Sequence, residues 1–294
     1  MLAPWCELES AEPLIATLGI ESMSFWSRQD DSNTVQSNGS LVVANARDIP
    51  DLVQFSTRAS HFCKVDGLEI SSLEPDLAGR FESGLFFANE CHLDPRATLA
   101  RLKTKLELHP GVRFETGYAL NEAARAKPTN CDWRIDCRGL SARDVLTDLR
   151  GVRGEMLLLH APDVTLNRPI RLLHPRYPLY VVPRKDHVFM VGATMIESDH
   201  RGQPTARSIM ELLSAAYSLQ PAFAEATVLE MGADARPAFS DNLPRLRRHG
   251  TTLYVNGLFR HGFLCAPAMA RRAVELALDN KVDCEVVDEN YFER

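Results

Sequence analysis

Residues Val255-Asn256-Gly257-Leu258-Phe259-Arg260-His261-Gly262-Phe263-Leu264-Cys265-Ala266-Pro267 constrain this chain more than any other stretch. The order predicts a strand ending at a glycine, a loop carrying one arginine and a second glycine, and a helix opening at or near Pro267. A proline in a first helical turn gives up only an N–H that has no intrahelical partner. Such a unit sets free backbone N–H groups and the positive end of a helix dipole beside the strand's C-terminal edge, a setting for negative charge. An ordinary strand–turn–helix connection carries the same signature, so the segment alone leaves both readings open.

Three more segments precede it in order. They are Tyr180-Val181-Val182-Pro183-Arg184-Lys185, Val191-Gly192-Ala193-Thr194-Met195 and Gly232-Ala233-Asp234-Ala235-Arg236-Pro237. With the segment above they resemble the C-terminal half of the glycine oxidase / D-amino-acid oxidase family of FAD enzymes, in particular its bacterial thiamine-biosynthesis branch. The resemblance runs from Met1-Leu2-Ala3-Pro4 to the helix after Pro267. It implies a mixed α/β and α+β chain with two interleaved layers. Residues 1–32, 92–150 and 232–294 would form an incomplete, discontinuous FAD-binding domain. Residues 33–91 and 151–231 would form a substrate-binding domain on a mixed sheet.

Composition fits a globular protein of this size. Hydrophobic residues make up 45% of the 294 and charged ones 24%, ordinary proportions. A net charge of −6 without a basic tract argues against nucleic acid or anionic membrane as the main partner. Apolar runs such as Met156-Leu157-Leu158-Leu159 are strand-length, and the first residues lack a signal-peptide pattern. Seven cysteines without a C-x-x-C pair point to reduced thiols in a cytoplasmic protein rather than a disulfide framework or zinc site. Cys265 has apolar neighbours and reads as a packed residue.

Helices are expected near 10–30, at 50–64 with Asp48 as a cap, and from Asp94-Pro95 to about Glu107 with Asp94 as N-cap. Two more are expected at 206–219 and 268–279, the last with Ala270, Ala273, Val274, Ala277 and Leu278 on its packed face. Strands are expected at 41–44, 85–88, 133–137, 155–160, 179–182, 188–192, 226–232 and 252–256. The strands crowded between Glu155 and Gly192 leave no room for crossover helices, so they should pair antiparallel. Arg184-Lys185-Asp186 reads as a hairpin turn and Arg245-Leu246-Arg247-Arg248 as a solvated charge run.

A dinucleotide site needs a strand, a glycine-rich loop and a helix whose backbone approaches the pyrophosphate. This chain contains no Gly-x-Gly at all. Met1-Leu2-Ala3-Pro4 resembles the segment that follows this unit in the family, so the first βαβ unit is expected to be missing from these residues. Either the coding region extends upstream of Met1, or the product is an inactive remnant that binds no FAD. Without the unit, apolar faces of neighbouring strands and a helix should lie open.

The resemblance assigns roles residue by residue. Arg236 is the expected ligand of a substrate carboxylate, which a guanidinium holds through two parallel bonds; its gap from Gly232 is one residue longer than the family's usual one. A surface or salt-bridging arginine is the plainer alternative. Tyr180 resembles the active-site tyrosine, and Arg260 the arginine near both substrate and flavin. Met1 and the stretch Leu258, Phe259, Arg260, His261, Gly262, Phe263 and Leu264 resemble flavin contacts, mostly through main chain. Gly139, in Cys137-Arg138-Gly139, and Ala119, where the family usually has valine, resemble cofactor-binding positions. No residue is assigned as a catalytic acid or base, and the histidines show no metal-ligand spacing. The implied reaction is oxidation of glycine or another small amino acid by FAD, with dioxygen as acceptor and a thiazole synthase as a taker of the imine. The alternative is an oxidase or dehydrogenase of D-amino acids, sarcosine or proline, with an acceptor that need not be oxygen. Assembly as a homo-oligomer stays open.

Overall fold

The computed structural model describes residues 1–29, 34–117, 131–174, 179–288 and 291–293. The helices are α1 (Pro13–Arg28), α2 (Ile49–Arg58), α3 (Gly67–Leu73), α4 (Pro95–Glu107), α5 (Ala206–Leu219) and α6 (Gly262–Asp279). The strands begin with β1 (Val35–Gln36), β2 (Ser40–Ala44), β3 (Cys63–Asp66), β4 (Ser83–Phe87), β5 (His92–Leu93), β6 (Arg134–Asp136) and β7 (Arg150–His160). They continue with β8 (Ile170–Leu173), β9 (Leu179–Pro183), β10 (Val188–Gly192), β11 (Ile196–Glu197), β12 (Thr227–Ala238), β13 (Arg245–His249) and β14 (Thr252–Asn256).

A nine-stranded mixed sheet runs β11-β7-β10-β9-β8-β2-β4-β3, with β12 on the other edge of β7. As the crowding of strands required, β7, β10 and β9 pair antiparallel, with Met156 opposite Gly192 and Gly192 opposite Tyr180. Side chains alternate along β7. Leu157 and Leu159 go into the main core beneath Leu212, Ala216 and Leu219 of α5. Gly154, Met156 and Leu158 go to the opposite face, which is the wall of a cleft. That alternation separates core from site within one strand.

The second layer is a three-stranded sheet, β13-β14-β6, with β14 parallel to β6. Helices α1 and α6 share one core cluster with Leu246 of β13 and Leu253 of β14. Segments more than a hundred residues apart thus build this layer. Ile135 on β6 and Leu99 and Leu106 on α4 are exposed.

Local signals hold where local chemistry sets them. Asp94 accepts the Ala97 N–H at 2.9 Å, as an N-cap before a proline should. Elsewhere the structure corrects the expectation. The helix expected to reach Lys64 ends at Arg58, because Cys63 and Lys64 pair with β4. Asp48 makes no side-chain cap, and Val53 is exposed. Strand β12 runs on to Ala238, so Arg236 lies within a strand opposite Val152 rather than after one, and the expected boundary at 232 falls inside it. The charge run Arg245–Arg248 is strand β13: Leu246 is buried, and buried Arg247 makes two bonds of 2.7 Å to Asp148. Its guanidinium also lies 3.6 Å from the ring centroid of Tyr291.

The largest correction concerns α6. It opens at Gly262, five residues before Pro267, which sits inside the helix. Pro267 cannot donate to the Phe263 carbonyl one turn back. The Trp26 indole N–H of α1 donates to that carbonyl at 2.8 Å instead, and the Trp26 and Phe263 rings stack. Ala268 N–H donates to Ser22 Oγ at 3.1 Å. Helix α1 therefore repairs the break. The buried stripe is Leu264, Cys265, Ala268, Met269, Arg272, Ala273 and Leu276, while Val274 and Leu278 are exposed.

Candidate active site

A cleft of about 940 Å³ opens on the face of β7, β9, β10 and β12 away from the main core. Met1, Tyr180, Arg236 and Arg260 all line it. Residues from four separate segments thus meet at one place. Met156, Leu158, Val188 and Met190 form its apolar wall, and exposed Lys185 stands at its edge.

Arg236 reaches the cleft by lying flat across the neighbouring strand. A Cβ at Gly154 would come closer than 3.0 Å to Nη1, Nη2 and Cζ of Arg236. Only a residue without a side chain lets the guanidinium rest there. Nη1 donates to the Thr194 carbonyl at 3.1 Å. Burial holds this guanidinium below its ordinary pKa, and Arg260 adds to the effect.

Arg260 follows Phe259, whose φ of 50° turns the loop, and its side chain is 8% exposed. Its guanidinium lies 5.3 Å from the Tyr180 ring centroid, and that of Arg171 lies 5.6 Å from the same ring. Arg171 is fully buried, pairs with Glu9 and donates to the Cys6 carbonyl at 3.1 Å. Glu7 provides the counter-charge for Arg260: Oε2 lies 2.9 Å from Arg260 Nη2 and 3.6 Å from His261 Nδ1. The contact with Nη2 is off the line of a hydrogen bond, so both atoms remain unsatisfied. Burial alone would raise the Glu7 pKa, but Arg260, His261 and Arg171 outweigh it and bring the value down to about 2. Burial takes His261 down to about 4, so it is neutral at physiological pH. The turn that carries Glu7 is pinned by buried Glu90, whose Oε1 accepts the Trp5 and Cys6 N–H groups at 2.9 and 2.8 Å.

Four arginines line the cleft, and their partners differ. Arg96 makes bonds of 2.7 and 2.6 Å to Glu230, Arg184 lies 3.7 Å from Asp94, and Arg260 pairs with Glu7. Arg236 has no carboxylate partner among the described residues. A cleft with one uncompensated guanidinium is arranged to receive one anionic group.

The flavin-type stretch adjoins this site. Helix α6 has no side-chain cap, and its first intrahelical bond is Cys265 N–H to the His261 carbonyl. The N–H groups of Gly262, Phe263 and Leu264 precede that bond, and a Cβ at Gly262 would meet nothing within 4 Å. Open space before a helix N-terminus, with the unsatisfied Nη2 of Arg260 nearby, fits the electron-accepting end of FAD. Side chains of the stretch mostly point elsewhere: Leu264 is in the core, Phe263 stacks on Trp26, and Leu258 packs against the α6 cluster. Cys265 is buried, with its thiol pushed up to about 12. Gly139, at φ 58°, offers its carbonyl to Asn256 Nδ2 at 2.9 Å. Leu258, Phe259, His261, Gly262, Phe263, Leu264 and Gly139 do not line the cleft itself. Ala119 lies outside the described residues. No cluster suited to a metal occurs among the described residues, and no helix there is long and apolar enough to cross a membrane.

Two site residues escaped sequence reasoning. Glu7 carries no motif, and Gly154 matters only because Arg236 lies over it. The hairpin at Arg184–Asp186 does form, but Arg184 is half-buried, lines the cleft and donates to the Leu93 carbonyl at 2.9 Å.

Comparison with known proteins identifies the family. Residues 1–276 match the family described as DAO, FAD dependent oxidoreductase. A Rhizobium etli protein bearing the name thiamine biosynthesis oxidoreductase ThiO is 52% identical over 270 residues, covering 92% of this chain and 80% of the relative. A bifunctional protein ThiO/ThiG of Nostoc is 31% identical over 136 residues, 45% of this chain and 20% of its own length. The crystal structure of glycine oxidase from Geobacillus kaustophilus superposes with a TM-score of 0.78 at 18% identity, over 96% of this chain and 83% of that one, a likeness of fold.

Proposed function

The chain belongs to the family of FAD-dependent oxidoreductases, and from that premise we propose that it oxidises glycine, or another small amino acid, at the cleft lined by Arg236. The observation that carries the reading is the isolation of Arg236: it is the one cleft arginine without a carboxylate partner among the described residues. A substrate carboxylate completes it through two parallel bonds. Tyr180, with the Arg171 and Arg260 guanidinium groups 5.6 and 5.3 Å from its ring centroid, would be a second donor to the same anion.

FAD, when bound, supplies the two-electron acceptor and returns those electrons to dioxygen, with hydrogen peroxide as the product. Leu258–Leu264, with Arg260 among them, and Met1 would hold its flavin end, and Gly139 would stand at a turn beside the cofactor. The chain's own part is placement. With the carboxylate fixed on Arg236, the Cα–H is presented along the cleft, and orientation of this kind supplies much of the acceleration. An amine that has lost its proton can release a hydride from Cα, leaving the imine. The neutral His261 and the ionised, arginine-paired Glu7 are not needed as a base. Water then converts the imine to the keto acid and ammonia.

The names of the Rhizobium etli relative and of the Nostoc fusion support a place in thiamine biosynthesis, with the imine passed to a thiazole synthase. The apolar wall of Met156, Leu158, Val188 and Met190 also accommodates a methyl group, which favours sarcosine or D-alanine as second substrates. The test is Arg236→Ala in the flavin-loaded protein. The flavin spectrum should persist while glycine-dependent bleaching is lost. Bleaching at the wild-type rate would remove Arg236 from the site.

A further inference from the structure

The partner of Arg260 has a consequence for which substrates the cleft admits. Arg236 and Arg260 line one cleft with Tyr180: the Arg260 guanidinium is 5.3 Å from the Tyr180 ring, and Arg236 lies near enough that, after burial, the charge of Arg260 also lowers its pKa. Left to themselves, two neighbouring guanidinium groups would make a dianion site. Glu7 prevents this. Its carboxylate sits 2.9 Å from Arg260, with side chains 11% and 8% exposed, so water screens the pair little.

We infer that Glu7 is a specificity-determining residue for substrate charge. By occupying Arg260 it leaves a single free guanidinium, so the cleft admits amino acids with one carboxylate and turns away dicarboxylates. The inference rests on the reading that Arg236 receives the substrate carboxylate. A second carboxylate can reach Arg260 only by displacing Glu7, which would then be a buried carboxylate without a partner. Glu7 stays ionised at working pH, since the surrounding arginines bring its pKa down to about 2 against the pull of burial. Its place does not depend on its own charge, because Glu90 pins the turn through the Trp5 and Cys6 N–H groups.

The experiment uses the flavin-loaded protein and two ligands that differ by one carboxylate, acetate and malonate, with binding followed by the change in flavin absorbance. Wild type should bind malonate no more tightly than acetate. Glu7→Gln keeps the size of the side chain and removes its charge. It should raise malonate affinity about tenfold or more relative to acetate, the worth of one charge-assisted bond. Glu7→Gln combined with Arg260→Gln should return the ratio to the wild-type value. A wild type that prefers malonate, or a Glu7→Gln ratio equal to wild type in a protein that keeps its flavin and melting temperature, overturns the inference. If Glu7→Gln does not fold, the wild-type preference decides alone. Arg236→Ala separates this from the parent reading: acetate binding undiminished there defeats the role of Arg236, whatever Glu7 does.

Discussion

Gly154→Ala isolates the placement of Arg236 from the stability of the fold. The new methyl would fall closer than 3.0 Å to three guanidinium atoms of Arg236, the far end of a flexible side chain. That group must lift off the sheet by on the order of 1 Å or more to restore ordinary contact, and its 3.1 Å bond to the Thr194 carbonyl stretches with it. A bidentate clamp shifted this far keeps at most one of its two bonds to a carboxylate. One charge-assisted bond is worth about 1.5–3 kcal/mol, so KM for glycine should rise roughly tenfold to a hundredfold. Stability should move the other way. Gly154 has no positive φ, so alanine adopts its backbone without strain. Replacing a strand glycine by alanine gains about 0.5–1 kcal/mol where the conformation permits. Steady-state kinetics with glycine, inhibition by acetate and a thermal melt on flavin-loaded protein measure all three quantities. Wild-type KM and acetate inhibition would show that Arg236 does not need the bare strand. A fall in melting temperature would show that the methyl strikes backbone rather than the guanidinium.

Other consequences are open to measurement. Trp26→Phe removes the donor that serves the Phe263 carbonyl above Pro267 and should destabilise by about 1–3 kcal/mol. In a Pro267→Ala background the new N–H can take over, so the same substitution should cost about 1 kcal/mol less by denaturant titration; equal losses in both backgrounds would refute the repair. Glu90 is held up to about 7 by burial, against the stabilising pull of its donors Ser40, Trp5 and Cys6. Its folded pKa exceeds the unfolded value, so its contribution is complete below about 4.5 and is lost as pH rises through about 7. Glu90→Gln should therefore flatten the wild-type fall in melting temperature across that window by the equivalent of a few kcal/mol; an unchanged pH dependence would refute the assignment.

Much of this molecule is legible from neighbours along the chain. Asp94 before Pro95 marks the start of α4, and the crowded strands from 155 to 192 can only pair antiparallel, because both signals act within a few residues. The motifs around Tyr180, Arg236 and Arg260 likewise point to one oxidoreductase cleft by resemblance. What spacing could not reveal is who stands opposite whom. Arg245–Arg248 looks like solvent-facing charge until Asp148 and the ring of Tyr291 close over Arg247. Pro267 looks like a helix start until Trp26, far away in sequence, supplies the missing donor. Glu7 and Gly154 carry no motif, since an ion pair across 253 positions and a guanidinium resting on bare backbone arise when distant strands and loops are brought into register. Short-range chemistry is written in residue order; the charge balance of the cleft follows from burial, which depends on the whole chain.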